Sequence, residues 1–411
     1  MAWVSMKYAV RSVGRHARRT ALSVLGIGIG CALALFTESM NRGRDELFAR
    51  MGAYSGAGHL RVVPADWNAR RDPRLRLADW QADLAAARAL PGAAAVTVRA
   101  RTQALLAMGT HVVPVELTGV DPVHEPRTFR LVQQVQQGRY LKPGEQGAVV
   151  VGKAIAERLS AGLDDEILAS AVGRHGSIES AMLRIVGIVA TGSDEGDAGV
   201  SQVALEDVER LTGLAGAGEV TVILADWRET DAARAELASR LRGTDQALTW
   251  GEISPEFKGH MEQDKAASRF ISVIILLIVL LGVASAQLAA VLERRREFAV
   301  LSAVGMKVVP MVRLVLLEAV TLGLAGAVVG LALGLPAVWR FSRVGLDFRN
   351  LMGEGYSFQG VLIEPIIYPD FGIWIVPYTL TVAFAATIIA SLYPAWFAAR
   401  TDPAVALRVA Q

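Results

Sequence analysis

Gly147-Ala-Val-Val-Val-Gly-Lys153-Ala154 has the glycine and lysine spacing of a phosphate-binding loop, G-x-x-x-x-G-K. The eighth position of such a loop is a serine or threonine whose hydroxyl meets magnesium, and Ala154 stands there instead. The interior Ala-Val-Val-Val is apolar and β-branched, which suits a strand better than a cradle of backbone N–H groups. The segment therefore reads as a strand followed by a helix, and no ATPase is expected in this chain. The six histidines, His16, His59, His111, His124, His175 and His260, contain no i, i+4 pair and no His-Glu-x-x-His set, so no zinc site is expected. A Gly-x-Ser-x-Gly elbow is absent, and the single cysteine, Cys31, excludes a disulfide framework. No catalytic residue and no metal are expected.

A second stretch has charges that call for a different explanation. Glu293, Arg294, Arg295, Arg296 and Glu297 lie between two long apolar runs and lead into Phe298–Lys307. Phe298, Leu301 and Val304 recur at helical spacing, and Gly305 is suited to end a helix. Arginines beside a membrane span act as anchors on the cytoplasmic side. That does not account for the amphipathic continuation, which reads as a contact for a cytoplasmic partner.

The elements that position this peptide follow from the apolar pattern. Of the 411 residues, 52% are hydrophobic, and four stretches carry no charge: Thr20–Thr37, Phe270–Leu292, Ala319–Trp339 and Phe371–Ala399. The first is the shortest, roughly 27 Å of helix at about 1.5 Å per residue. A bilayer core needs about 20 helical residues, so each stretch reads as a span. The basic residues before Thr20 and Ala32-Leu33-Ala34 also suit a signal peptide, but the apolar run continues to Phe36 and a retained helix is expected.

Lysines and arginines gather before the first span, between the second and third, and after the fourth, which places both termini inside. The expected order is a cytoplasmic amphipathic helix at 1–19, spans at 20–37, 270–292, 319–339 and 371–399, an external domain at 38–269, a cytoplasmic loop at 293–318, a short external loop at 340–370 and a cytoplasmic tail at 400–411.

Residues 38–269 alternate strand and helix patterns. Strands are predicted at His59–Pro64, Val96–Arg101, Val112–Gly119, Ala148–Val151, Glu166–Val172, Met182–Val189 and Glu219–Ala225. Helices are predicted at Ala78–Leu90, Lys153–Leu159, Leu205–Leu211 and Thr230–Arg242. Two lobes are expected, one of roughly 110–200 inserted into the other. Ser254-Pro255-Glu256 opens a helix well before the second span, and Glu38–Met51 has the composition to prolong the first. Two helical stalks would then connect the domain to the membrane. Gly26 with Gly30, and Gly326, Gly330 and Gly334, recur at the spacing that lets helices approach closely in lipid, either within one chain or across a dimer seam. No span has a mid-membrane charge, which argues against a proton- or sodium-driven carrier.

Taken in order, these features resemble the permease subunits of FtsX/MacB-type ABC transporters. Met6–Ile27 is similar to the family's first amphipathic helix and span, and Glu293–Gly305 to its E-R-R-x-E-[FI]-[AG]-[VI]-L-x-A-x-G signature. Glu318, Tyr393-Pro394-Ala395 and the ending Asp402-Pro403…Leu407-Arg408 also match. Gly58–Val62, Gly119–Pro122, Gly138–Leu141 and Val151–Leu159 are similar to the lipoprotein-releasing, LolC/LolE-like branch. The resemblance implies an α-helical membrane protein with four spans and a large periplasmic α/β domain. It would be a multi-pass protein of the bacterial inner membrane with no catalysis of its own. The 293–307 peptide would be a coupling helix on an ABC ATPase dimer, and that partner would bind ATP and magnesium. A second permease subunit, identical or not, would complete the complex. The implied work is mechanotransmission that extracts lipoproteins from the outer leaflet and hands them to a periplasmic chaperone. The place of the chaperone hairpin is Gly173, Arg174, His175, Gly176 and Ser177, which lacks the proline expected of such a hook. The family also contains exporters of hydrophobic compounds or peptides that use a periplasmic adaptor, and non-transporting permeases that regulate a periplasmic hydrolase.

Overall fold

The structure, a computed structural model, describes residues 17–190, 194–352, 357–358, 361–362 and 366–399. Most of the N-terminal amphipathic helix and the tail at 400–411 fall outside these residues. The helices used below are α1 (Ala17–Gly52), α2 (Trp80–Arg88), α3 (Lys153–Leu159), α4 (Leu205–Thr212), α5 (Thr230–Arg240), α6 (Pro255–Glu293), α7 (Arg295–Ala303), α8 (Val308–Val344) and α9 (Ile375–Ala399). The strands are β1 (Leu60–Val63), β2 (Ala93–Met108), β3 (His111–Val120), β4 (Val135–Gly138), β5 (Ala148–Gly152), β6 (Glu166–Val172), β7 (Ile178–Val189), β8 (Ser201–Ala204), β9 (Glu219–Leu224) and β10 (Gln246–Thr249). The chain divides into two units: residues up to Arg44 with 263–346 and those from Ile367 onward, and residues 45–262 with 347–366.

In the first unit, α1, α6, α8 and α9 are each long and apolar enough to cross a membrane. Without water in the bilayer core, a span must satisfy its own peptide groups, and a helix does so. These helices contain the four apolar stretches, with two shifts. α8 starts at Val308 rather than near Ala319, because Arg313 and Glu318 interrupt the apolar run but not a helix. α9 starts at Ile375 rather than Phe371, because the residues before it form a turn held to α1. In that turn Asp370 N–H donates to the Ser39 carbonyl at 3.0 Å, and the Ser39 hydroxyl donates to the Asp370 carbonyl. The Trp374 indole N–H donates to the Asp370 carboxylate at 2.8 Å. One apolar cluster joins Ile27, Cys31, Val283, Leu322 and Ala383; another joins Val291, Phe298, Met311, Val315, Ala395 and Ala398.

The second unit is built on one ten-stranded sheet in the order β10-β1-β9-β2-β3-β8-β5-β7-β4, with β6 pairing both β2 and β7. β2, β3, β8, β5, β7 and β6 therefore close into a ring, which leaves no free edge there. The inserted lobe contributes β3 to β8, while β2 and β9 on either side of it pair antiparallel. The two lobes are thus halves of a single sheet. Leu106, Leu117, Ile155, Ile167, Ile185 and Val203 belong to the larger core, and Val120, Phe129, Val150, Val186 and Val189 to a second one.

β6 and α3 occupy the expected residues, while β2 runs for 16 residues because its second half also pairs with β3 and β6. The loop-like Gly147–Ala154 is β5 followed by α3. A Cβ at Gly152 would lie 1.7 Å from the Asp197 carbonyl oxygen, so this glycine serves close backbone packing.

Asp83, on α2, is only 1% exposed, and its carboxyl meets the Asp245 carboxyl, with which it shares a proton. Burial, then the neighbouring Asp245 and Asp79 carboxyls, push its pKa from 3.8 up to about 7. The folded chain therefore keeps a proton that the unfolded chain releases, and stability falls as pH rises from about 4 to about 7. Asp83→Asn removes that titration while keeping the shape. Thermal unfolding across this range should show a flattened pH profile and, on the alkaline side, a melting temperature raised by several degrees. A profile that still parallels the parent protein would contradict this.

Candidate functional site

α1 and α6 do not touch along their whole length. Between them lies a cavity of about 500 Å³, lined by Ser23, Gly26, Ile27, Gly30, Val279, Gly282 and Gln287 among others. Two missing side chains deepen it: at Gly26 and Gly282 a Cβ would have nothing within 4 Å. At Gly30 the helices are in contact, since a Cβ there would lie 2.6 Å from Val279. Leu22, Ile29, Leu33 and Ile278 are exposed at the rim. The lining is apolar apart from a few groups such as Ser23 and the buried Gln287, so its chemistry suits an alkyl chain rather than a polar solute. Gly26, expected to pack helices, lines this groove instead.

The other small residues do pack. A Cβ at Gly326 would lie 2.3 Å from Ile27, at Gly330 2.6 Å from Cys31, and at Gly334 2.7 Å from Leu35. Gly28, which the sequence reading passed over, meets Val329 in the same seam. These glycines hold α8 against α1 within one chain.

The charged peptide folds as expected in outline and differently in detail. α6 ends at Glu293, Arg294 breaks the helical path with φ −94° and ψ 13°, and α7 follows. Gly305 has φ +95°, and Met306 N–H donates back to the Leu301 carbonyl at 3.0 Å, which closes the helix. Phe298 is buried in the cluster with α6, α8 and α9, and Leu301 packs beside it. The apolar edge expected on Phe298 and Leu301 therefore faces the chain's own helices, because those residues share a face with the buried cluster. Val304 points elsewhere. It is 83% exposed and, together with Val300, Val308 and Val309, forms the free apolar surface. Sequence reading missed Val308 and Val309 because they merge into the apolar run of α8.

The three arginines also differ. Arg296 is exposed and Arg295 half-buried, whereas Arg294 turns inward. Its Nη1 lies 3.1 and 2.8 Å from the two Glu318 oxygens, and its Nε donates to Glu297 at 3.0 Å. Sequence reading matched Glu318 to the family but did not foresee this partner.

In the hairpin between β6 and β7, Gly173 N–H donates to the Ser177 carbonyl at 2.8 Å and Gly176 takes φ +81°. Arg174, His175, Gly176 and Ser177 are exposed. The turn does not project freely, since Arg174 N–H donates at 2.8 Å to the Thr212 carbonyl at the end of α4. Among the described residues no His, Cys, Asp or Glu cluster gathers that could hold a metal ion.

Residues 20–240 match the family described as the MacB-like periplasmic core domain, and residues 269–403 match the FtsX-like permease C-terminal segment. Over 400 residues the chain is 26% identical to the lipoprotein-releasing system transmembrane protein LolC of Xylella fastidiosa, covering 94% of this chain and 92% of that protein. It is 24% identical over 424 residues to the LolC protein of Neisseria meningitidis, covering 99% and 98% of the two chains. It is 26% identical over 425 residues to the macrolide export ATP-binding/permease protein MacB of a Shewanella species, covering 98% of this chain but 60% of that protein.

The glycine seam makes its own prediction. Gly330→Val would push a side chain into Cys31 and the Gly28 carbonyl, an overpacking that costs about 1–3 kcal/mol. Gly26→Ala enters open space and should leave stability unchanged. Thermal unfolding in detergent should separate the two, and equal melting temperatures would mean that α1 and α8 are not held by this contact.

Proposed function

This chain belongs to the ABC-transporter permeases that carry the MacB-like periplasmic core domain, and from that premise we propose that it draws an acylated cargo, a lipoprotein, out of the outer leaflet of the bacterial inner membrane. The observation that carries the reading is the apolar groove between α1 and α6, whose rim residues are exposed on helices apolar enough to lie in lipid. An acyl chain could enter it from the bilayer without meeting a charged group. Similarity to LolC proteins over nearly their whole length supports the same cargo class.

The work comes from a partner ABC ATPase that docks on the apolar surface of Val300, Val304, Val308 and Val309 on the cytoplasmic side. ATP and magnesium belong to that partner, and this chain supplies docking, transmission and the groove. Movement of α7 passes to α6 and α8, and α1 and α6 carry it toward the α/β domain. A second permease subunit covers part of the apolar face of α6, where Phe270, Ile274 and Leu281 are exposed. The β6–β7 hairpin, Gly173–Ser177, is a candidate contact for a periplasmic partner.

Two variants test this reading in a complex purified with its ATPase and reconstituted in bacterial phospholipid with a lipoprotein. Gly26→Leu fills open space in the groove and should lower release about tenfold while the ATPase stays bound. Val304→Asp with Val309→Asp places charge in the docking surface and should weaken ATPase association at least about tenfold. Undiminished release by the first variant would remove the groove from the mechanism. In cells depleted of the protein, lipoproteins should accumulate at the inner membrane; normal sorting with drug sensitivity would favour export, and a cell-wall defect would favour signalling.

A further inference from the structure

The break between α6 and α7 is a single residue, and its side chain is tied down on two sides. Arg294 and Glu318 have side chains only 13% and 19% exposed, and one nitrogen makes their contact, with Nη1 at 3.1 and 2.8 Å from the two carboxylate oxygens. The same guanidinium reaches Glu297 in the first turn of α7 at 3.0 Å and lies over the Phe298 ring at 5.5 Å. Phe298 is in turn enclosed by Val291 of α6, Met311 and Val315 of α8, and Ala395 and Ala398 of α9.

Charge-assisted bonds from two nitrogens of one planar guanidinium, Nη1 to Glu318 and Nε to Glu297, fix orientation as well as distance. α7 is thus not a lever hinged only on α6. Its first turn is pinned to α8 by an ion pair and seated by an aromatic ring. A purely membrane-anchoring arginine would point to headgroups and would not need a carboxylate on another helix.

We propose that Arg294 and Glu318 are positioning residues for coupling, a strut that makes α7 and α8 move as one body when the partner ATPase pushes on α7. This rests on the docking role of α7 given above. Without the strut, α7 would tilt about the break and the push would be lost before reaching the spans. The ATPase would still bind, because the docking surface lies on other residues.

The test uses the purified permease–ATPase complex in bacterial phospholipid vesicles containing an acylated lipoprotein. Glu318→Gln keeps the shape and weakens the pair, and Arg294→Lys keeps the charge but loses the planar bridge between Glu318 and Glu297. Both should retain co-purified ATPase and a melting temperature close to the parent's. Cargo released per ATP hydrolysed should fall about tenfold in each, a loss equal to about 1.4 kcal/mol of coupling. The reversed pair, Arg294→Glu with Glu318→Arg, should recover part of that ratio. A ratio within about twofold of the parent in both single variants would overturn the strut. So would a loss that follows melting temperature and is not recovered by reversal, since that marks a structural role alone. If the parent complex itself shows no cargo-linked hydrolysis, the functional reading fails, and the strut falls with it.

Discussion

The carbonyl oxygen of Gly56 accepts hydrogen bonds from two buried arginines, Arg61 at 2.9 Å and Arg99. It lies in the π-helical turn Ala53–Ala57 that follows α1, so the chain's exit from its first helix is fastened to the sheet at one atom. Buried guanidinium groups require carboxylates, and two are supplied. Glu125 holds Arg99 at 2.8 Å, and Glu219 holds Arg61 at 3.0 Å and Arg101 at 3.2 Å. Burial alone would raise the pKa of Glu219, but Arg101, Arg61 and Arg99 outweigh it and hold the carboxyl below its ordinary value. Gln202 and Thr97 complete the shell around Glu125. β1, β2, β8, β9 and the turn thus share one electrostatic centre. Removing any charge from such a set strands the others in low dielectric, at a cost of about 3–5 kcal/mol. The last turns of α1, from residue 45 on, belong to the same unit as this centre.

How much of this was legible in the sequence depends on whether a feature is written locally. The four apolar runs are, because each must be helical by itself in lipid. α3 and β6 are, because their patterns end at residues that also end the elements. β8 is not: Ser201-Gln-Val-Ala is buried on both faces and so shows no alternation. β4 is a short polar edge and β10 has only four residues, both too brief for periodicity to show. The buried ion network was invisible for a different reason. Arg61, Arg99, Arg101, Glu125 and Glu219 carry no spacing that distinguishes them from surface charges; pairing of β1, β2 and β9 brings four of them together, and the short helix Glu125–Thr128 brings Glu125.

The candidate site shows the same limit at finer grain. Gly26 and Gly30 are one helical turn apart and look equivalent, yet one opens a groove and the other closes a contact. What distinguishes them is the residue on the other helix, nothing at Gly26 and Val279 at Gly30. On α7, helical spacing gives two apolar stripes, and sequence alone does not say which one the chain keeps for itself. The Phe298 stripe is buried because α8 and α9 offer it a pocket of small and flexible residues. Val300 and Val304 are left for another surface.

The helices differ in how closely they contact one another within the chain. α8 meets α9 where a Cβ at Gly323 would lie 2.6 Å from Thr387, and it is joined to α1 along the glycine seam, where backbones approach closely. α6 meets α1 around a cavity and leaves Phe270, Ile274 and Leu281 exposed. Within this chain the cavity interrupts the packing between α1 and α6, and the groove lies at that interruption. α6 is also the helix that ends at Arg294, so under the proposed docking a push on α7 would reach α6 directly and α8 through Glu318. Opening of the groove would then leave the α1–α8 seam as it is, provided that the proposed strut keeps α7 from yielding first.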